Sequence, residues 1–271
     1  MKKITLILLA VLLSASCLYA RDYTTVKDIS YRPTAEGYAG ERCKLDVYYS
    51  PEFKDAPVVV WFHGGGLTGG KKSIPKELTK DSLVVVSVNY RLLPDATIDE
   101  CIDDAAAAVA WTVNNIKNYG GSPDKIFLAG HSAGGYLISM IGLDKHWLEN
   151  YGVDADMFKA LVPYSGQVLT HYAVRNLNGI GPLEPVIDGY APLSHARSDC
   201  PPYIIISADR EEELYGRYEE NAYMWRLMKM VGHPYVKIYE LDGYNHGAMV
   251  HPAHHILKKH IHAILSGQGD K

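Results

Sequence analysis

Apolar positions along the chain follow two different periods, and their alternation outlines a layered domain. Residues 57–62, Pro-Val-Val-Val-Trp-Phe, and 203–207, Tyr-Ile-Ile-Ile-Ser, are nearly continuous apolar runs, the pattern of strands buried on both faces. Residues 82–89 and 125–129 read the same way, and 159–165 and 235–241 are two further strand candidates. Near the start, 23–31 and 43–49 alternate as the arms of an opening hairpin, with Glu36-Gly37 and Ala39-Gly40 between them. Helical spacing appears in the Ala-rich stretch 99–118, which Gly120, Gly121 and Pro123 stop. It returns over 135–141, 218–231 and 252–265. Strands alternating with helices predict a mostly parallel sheet covered on both faces. One stretch breaks the rhythm: 167–200 contains Gly179, Gly181, Pro182, Pro185, Gly189 and Pro192 and holds no sustained period. It reads as a cap-like insertion over the face where the strands end.

The first 20 residues have a different pattern. Lys2-Lys3 precede an apolar run from Ile4 to Leu13 and then small residues, which reads as an export signal cleaved after Ala20. The run is shorter than the roughly 20 apolar residues that a membrane helix needs, and no second hydrophobic span follows. The mature domain is therefore expected to be 21–271, periplasmic or secreted. A lipid anchor at Cys17 would need an aliphatic residue where Ser14 stands, and is the less favoured reading. Removal of Cys17 leaves Cys43, Cys101 and Cys200, whose separations match no metal-site spacing; buried small hydrophobes are expected.

A length of 271 residues with 47% apolar composition is enough for one α/β domain. Net charge of −4 argues against nucleic acid as a partner, which calls for a basic face. The 20 tyrosines read as half-buried strand and loop residues rather than a sugar-binding surface.

Chemistry centres on Gly130-His131-Ser132-Ala133-Gly134, set between the 125–129 strand and the 135–141 helix. Glycines two residues either side of Ser132 permit a strained turn that pushes the hydroxyl out at the sheet's edge. The turn also places Ser132 at a helix N-terminus, where backbone N–H groups favour a developing negative charge. Ligands of open α/β sheets bind beyond the C-terminal ends of strands. Four such ends carry reactive or Gly-rich groups: His63-Gly64-Gly65-Gly66, Ser132, the acidic stretch from Asp209, and His246.

These motifs resemble the α/β-hydrolase superfamily, in its esterase branch related to hormone-sensitive lipase and to bacterial feruloyl and acetyl esterases. The matching residues are His63 to Gly66, Asn89-Tyr90-Arg91-Leu92, Gly130 to Gly135 and the Gly243 to Gly247 loop, in the family's order. The resemblance implies a serine carboxylic ester hydrolase for short-chain or aromatic acyl esters, with carbohydrate-linked acetyl or feruloyl groups among the candidates. No cofactor or metal is implied.

A neutral serine is a poor nucleophile and needs a base that titrates near neutrality, for which His246 is the candidate. The oxyanion needs preorganised donors, for which the N–H groups of Ala133, Gly65 and Gly66 are candidates; His63 is expected to brace its loop. The acid departs from the family. Relatives carry strand, Gly, two residues, then Asp; the register from Pro202 puts Glu211 in that slot, with Asp209 as the rival. Glu212 and Glu213 read as solvated charges on the approach to the next helix.

Rival readings are an aryl-formamidase or peptidase on the same triad, and a catalytically silent binding protein on the same fold. Two further motifs carry little weight. Gly65 to Lys71 mimics a phosphate loop, but Lys72 stands where Ser or Thr must hold magnesium. His251, His254, His255, His260 and His262 lack an H-E-x-x-H pattern and read as the polar face of the closing helix.

Overall fold

The computed structural model describes residues 21–181 and 183–268. The proposed signal segment and Cys17 lie outside the described residues. Eight strands form one sheet: β1 (Thr24–Ser30), β2 (Lys44–Tyr49), β3 (Ala56–Phe62), β4 (Val84–Val88), β5 (Gly121–His131), β6 (Ala160–Tyr164), β7 (Tyr203–Ala208) and β8 (Val236–Leu241). Their spatial order is β1-β2-β4-β3-β5-β6-β7-β8. β1 and β2 pair antiparallel, β2 joins β4 antiparallel, and every pairing from β4 to β8 is parallel. Seven α-helices accompany them among the described residues: α1 (Gly37–Arg42), α2 (Ile98–Asn115), α3 (Ala133–Leu143), α4 (His146–Glu149), α5 (Tyr172–Leu177), α6 (Arg217–Met230) and α7 (Val250–Leu265). No helix among the described residues is long and apolar enough to cross a membrane.

The continuous apolar runs are two-faced, as their composition requires. In β3, Val58, Val60 and Phe62 join the core packed by α2, α3 and α6, while Val59 and Trp61 face the other layer, where Met249 precedes α7 and α7 supplies Ala253, Leu257 and Ile261. Burying a large aliphatic side chain contributes about 1.5–3 kcal/mol, so each such strand anchors both layers at once. Among the described residues β1 pairs with β2 alone, and it is correspondingly half exposed. α2 starts on a reciprocal cap. Thr97 Oγ1 accepts the Glu100 N–H at 3.2 Å, and Glu100 Oε2 accepts the Thr97 N–H at 2.8 Å.

Three expectations need correction. The opening hairpin is not closed by simple glycine turns, because α1 intervenes between its arms. The closing helix does not carry its histidines as one polar face. His254 is fully buried beside Trp61 and the Tyr164 hydroxyl, and His260 is buried between Tyr235 and Tyr239; His251, His255 and His262 are exposed, with His251 reaching Glu77 at 2.6 Å. Their spacing on the helix alternates them between the sheet and solvent. The third concerns Glu213 and the acid, described below. Cys43, Cys101 and Cys200 are free thiols, all buried.

Candidate active site

The end of β5 carries the most constrained backbone at the sheet edge. Ser132 sits at φ +53° and ψ −113°, a conformation L residues avoid, between the last residue of β5 and the first of α3. It is held by the Ser132 N–H donating to the Tyr164 carbonyl at 2.8 Å and the Tyr136 N–H donating to the Ser132 carbonyl at 2.9 Å. Glycine is needed on both sides for lack of room. A Cβ on Gly130 would lie 2.5 Å from the Gly134 backbone, and one on Gly134 would lie 2.2 Å from the Phe62 carbonyl oxygen. The expected turn is thus in place, with α3 beginning directly after the serine. Ala133 opens α3, where first-turn N–H groups have no intrahelical partner.

β3 runs parallel beside β5 with Phe62 paired to Gly130, so His63 to Gly66 leave the sheet next to the serine. A Cβ on Gly64 would stand 3.4 Å from Ser132 Cβ. Gly65 and Gly66 have φ of +118° and +64°, left-handed values that turn this loop across the strand end. His63 is buried and stacked on Tyr90 at 4.5 Å, and the Tyr90 hydroxyl donates to the His63 carbonyl at 2.8 Å. Burial pulls the His63 imidazole down to about 4, so it is neutral near pH 7. The 89–92 motif therefore braces the glycine loop from beneath. Arg91 extends the brace by pairing with the fully buried Asp104 at 2.8 Å. Lys72, at the position where a phosphate loop would carry Ser or Thr, is held by Asp46 and Asp28 at 2.5 and 2.7 Å in a fixed ion-pair position.

His246 follows β8 in the loop that ends at α7. Asn245 Oδ1 accepts the N–H groups of Gly247 and Ala248 at 3.1 and 2.9 Å, fixing the turn into that helix. The His246 ring lies 4.7 Å from the ring of His131, the residue just before the serine. His131 Nε2–H donates to the His246 carbonyl at 2.8 Å, so the elbow and the histidine loop are directly joined. Burial first, and the neighbouring His246 second, pull His131 down to about 4, which keeps it a neutral tether.

The carboxylate on His246 is Glu213, not Glu211 or Asp209. His246 Nδ1 lies 2.5 Å from Glu213 Oε1. The second oxygen accepts the Ser165 hydroxyl at 2.5 Å, and Oε1 also accepts the Leu214 N–H at 2.8 Å. Burial works to raise the Glu213 carboxyl, but the His246 partner, the Ser165 hydroxyl and the Leu214 N–H outweigh it and hold it at about 2. Glu213 is therefore ionised across the whole range in which a histidine works. Its side chain is 1% exposed, the opposite of the solvated charge expected.

The reason is the turn after β7. The Glu212 N–H donates to the Asp209 carbonyl at 3.0 Å, and Asp209 spends its own carboxylate on backbone: Oδ1 accepts the Glu211 N–H at 2.9 Å and Oδ2 the Gly243 N–H at 2.7 Å. Asp209 thus ties the acid loop to the histidine loop. Glu211 is left on the outside of the turn, exposed. Two residues further on, the chain comes back toward the end of β6, where Ser165 meets Glu213.

Sequence reasoning missed a supporting layer as well. Ser165 has φ +44°, and its carbonyl accepts Arg217 Nη1 at 2.6 Å. Glu220 accepts the N–H groups of Val168 and Leu169 at 3.1 and 3.0 Å, and Asn221 Nδ2 donates to the Gly166 carbonyl at 2.8 Å. The first turn of α6 therefore clamps the chain leaving β6. No group of His, Cys, Asp and Glu among the described residues is arranged to hold a metal ion.

A serine on such an elbow, at the C-terminal edge of a doubly covered and mostly parallel sheet, makes the molecule an α/β-hydrolase. Residues 45–182, just over half of the sequence, match the BD-FAE family, and the chain belongs to it. Among curated proteins, it is 27% identical over 243 residues to the probable carboxylic ester hydrolase LipM of Mycobacterium tuberculosis, covering 80% of this chain and 54% of that protein. It is 39% identical over 101 residues to the carboxylesterase NlhH of the same species, covering 35% of this chain and 32% of that one. The chain spans about half the length of the first curated relatives it matches. Among solved structures, a truncated carbohydrate esterase from gut microbiota superposes with a TM-score of 0.76 at 17% identity, covering 91% of this chain and 98% of that one. Esterase B of Lactobacillus rhamnosis superposes with a TM-score of 0.71 at 19% identity, over 92% and 88% of the two chains. At these identities the likeness speaks for the fold.

Proposed function

We propose that the chain is a serine carboxylic ester hydrolase in which Ser132 is the nucleophile, His246 the general base and Glu213 the acid. The observation that carries this reading is the Glu213–His246 contact of 2.5 Å, beside a serine held at φ +53° on the elbow. Glu213 fixes the histidine as the Nδ1–H tautomer, which leaves the Nε2 lone pair to take the serine proton. Ser132 Oγ attacks the acyl carbonyl, and the oxygen of the tetrahedral intermediate gathers charge toward the N–H groups of Ala133, Gly65 and Gly66. The imidazolium returns its proton to the departing alcohol, leaving an acyl-serine. Water, deprotonated by the same histidine, then releases the acid. An ionised Glu213 stabilises the imidazolium at both stages.

The substrates we propose are esters of short-chain or aromatic acids, with acetyl or feruloyl groups on carbohydrate as the candidates to test. The names borne by LipM and NlhH, a carboxylic ester hydrolase and a carboxylesterase, support the reaction class. We also propose export, through the segment ahead of residue 21; N-terminal sequencing of the protein from culture fractions tests it. The test of function is hydrolysis of p-nitrophenyl acetate, butyrate and octanoate, together with methyl ferulate, by wild type and Ser132→Ala. Activity on the short or aromatic esters that vanishes in the variant is expected. No Ser132-dependent cleavage of any ester would overturn the reading.

A further inference from the structure

The 167–200 excursion sends one polar group to the glycine loop. A Cβ built on Gly66 would stand only 2.0 Å from the Tyr172 hydroxyl oxygen and 3.1 Å from its Cζ. The phenol tip therefore lies directly against the Gly66 backbone, whose N–H is one of the proposed oxyanion donors. The hydroxyl has no hydrogen-bond partner among the described residues, although the ring is half-buried and packs on the core.

The scaffold around this tyrosine is unusually well fixed for a residue whose polar tip bonds to none of the described residues. Its N–H donates to Gln167 Oε1 at 2.9 Å. The preceding His171 is fully buried, lies with its ring tilted against that of Tyr172 at 4.6 Å, and accepts the Ala173 N–H through Nδ1 at 3.2 Å to cap α5. Arg175, one turn on, is buried and donates Nε–H to the Thr170 carbonyl at 3.0 Å. Upstream, Glu220 holds the backbone of Val168 and Leu169. A donor fixed before substrate arrives costs little reorganisation when charge develops, which is the condition for electrostatic stabilisation of an oxyanion.

Resting on the ester hydrolase reading above, we propose that Tyr172 is a further catalytic residue, its hydroxyl donating a hydrogen bond to the acyl carbonyl oxygen beside the Gly66 N–H. The insertion then does more than shape a pocket. It supplies a side-chain donor to a hole otherwise built of backbone, and glycine at 66 is required in part because the phenol fills the place of a side chain.

The experiment compares wild type, Tyr172→Phe and Tyr172→Ala on p-nitrophenyl acetate and butyrate. In parallel, each protein is phosphonylated with an alkyl p-nitrophenyl phosphonate, followed by intact-protein mass and by the 31P shift of the adduct. The expected result for Tyr172→Phe is a kcat about 10- to 100-fold lower with KM nearly unchanged, slower phosphonylation, and a displaced 31P shift, since the lost donor contacts the phosphoryl oxygen. Equal kcat, labelling rate and 31P shift in wild type and Tyr172→Phe would overturn the proposal while leaving Ser132 as nucleophile. A change confined to Tyr172→Ala, seen as altered acetate-to-butyrate preference, would overturn it too and make the ring a wall only. Failure of wild type to label at Ser132 would instead remove the underlying hydrolase reading, and this proposal with it.

Discussion

The loops after β5 and β7 bring the proposed nucleophile and acid to the same sheet edge by opposite means. After β5 the geometry is local. Ser132 is forced out by its own backbone at φ +53°, between glycines that leave no space for a Cβ, and its position needs little beyond the neighbouring strands. After β7 the geometry is tertiary. Glu213 comes after a turn, and it is selected by partners far away in sequence, Ser165 on the chain leaving β6 and His246 after β8. The first loop stores strain, and the second concentrates charge. The contrast teaches that the nucleophile of such a site is specified by backbone, whereas the acid is specified by whichever carboxylate can be buried with enough donors.

The largest effect expected from breaking this pairing is on the backbone-specified side. Ser132→Ala keeps every glycine and hydrogen bond of the elbow but removes the reacting oxygen. Ester turnover is expected to fall by about ten-thousand-fold or more, with a thermal midpoint within a few degrees of wild type. Measurable Ser132-independent turnover on the same esters would show that the elbow is a structural feature only.

The acid side gives the next effect and the sharper test of the comparison. Glu213→Gln leaves the side chain nearly isosteric but takes away the charge and favours the wrong histidine tautomer. A loss in kcat of about a thousand-fold is expected, with Glu211→Gln near wild type because that side chain is exposed. Steady-state kinetics on a single p-nitrophenyl ester decides it. If Glu211→Gln proved the more damaging, the Glu213–His246 contact would not be the working one.

Asp209 should lie between them. Its carboxylate accepts two backbone N–H groups, one from each loop, and burial plays little part; the Gly243 and Glu211 donors hold it below the usual carboxylate range. Asp209→Asn must turn an N–H toward one of these donors, which loosens the His246 loop without touching the reacting atoms. A kcat loss of about tenfold is expected in steady-state kinetics on the same ester. A loss as large as that of Glu213→Gln would move the acid role back to Asp209.

This division also explains what could be read from the chain alone. The strands at 57–62, 82–89 and 203–207 and the elbow are written in local spacing, as are the positions of Ser132 and His246, whose loops the structure joins through His131 at one sheet edge. The acid could not be counted off a register, because the turn after Asp209 adds residues that a fixed spacing from Pro202 does not allow for. A run of three glutamates gives no sign of which one is buried. The pairing of Glu213 with Ser165 joins positions 48 residues apart, and the arrival of Tyr172 at Gly66 joins more distant ones still. Likewise, His254 and His260 look polar in sequence, yet tyrosine hydroxyls that no helical period announces make them core residues.

The last prediction concerns stability rather than turnover. The backbone-specified side is built with neutral buried imidazoles: His63 and His131 are both held at about 4 against an ordinary value of 6.5. In the window between, the unfolded chain binds protons that the folded one refuses, so unfolding free energy falls as pH drops from about 6.5 to about 4, by about 1.4 kcal/mol per unit of pKa difference for each group. Glu213 has a depressed carboxyl at about 2 against an ordinary 4.5. Its contribution is complete above pH 4.5 and is lost as pH falls toward 2. The two regions therefore weaken in successive windows. His131→Gln, which keeps a donor for the His246 carbonyl, should flatten the upper part of the urea-stability curve, and Glu213→Gln the lower part. Loss of slope in the same window for both variants would mean that the two loops titrate as one unit, and the contrast between them would not survive.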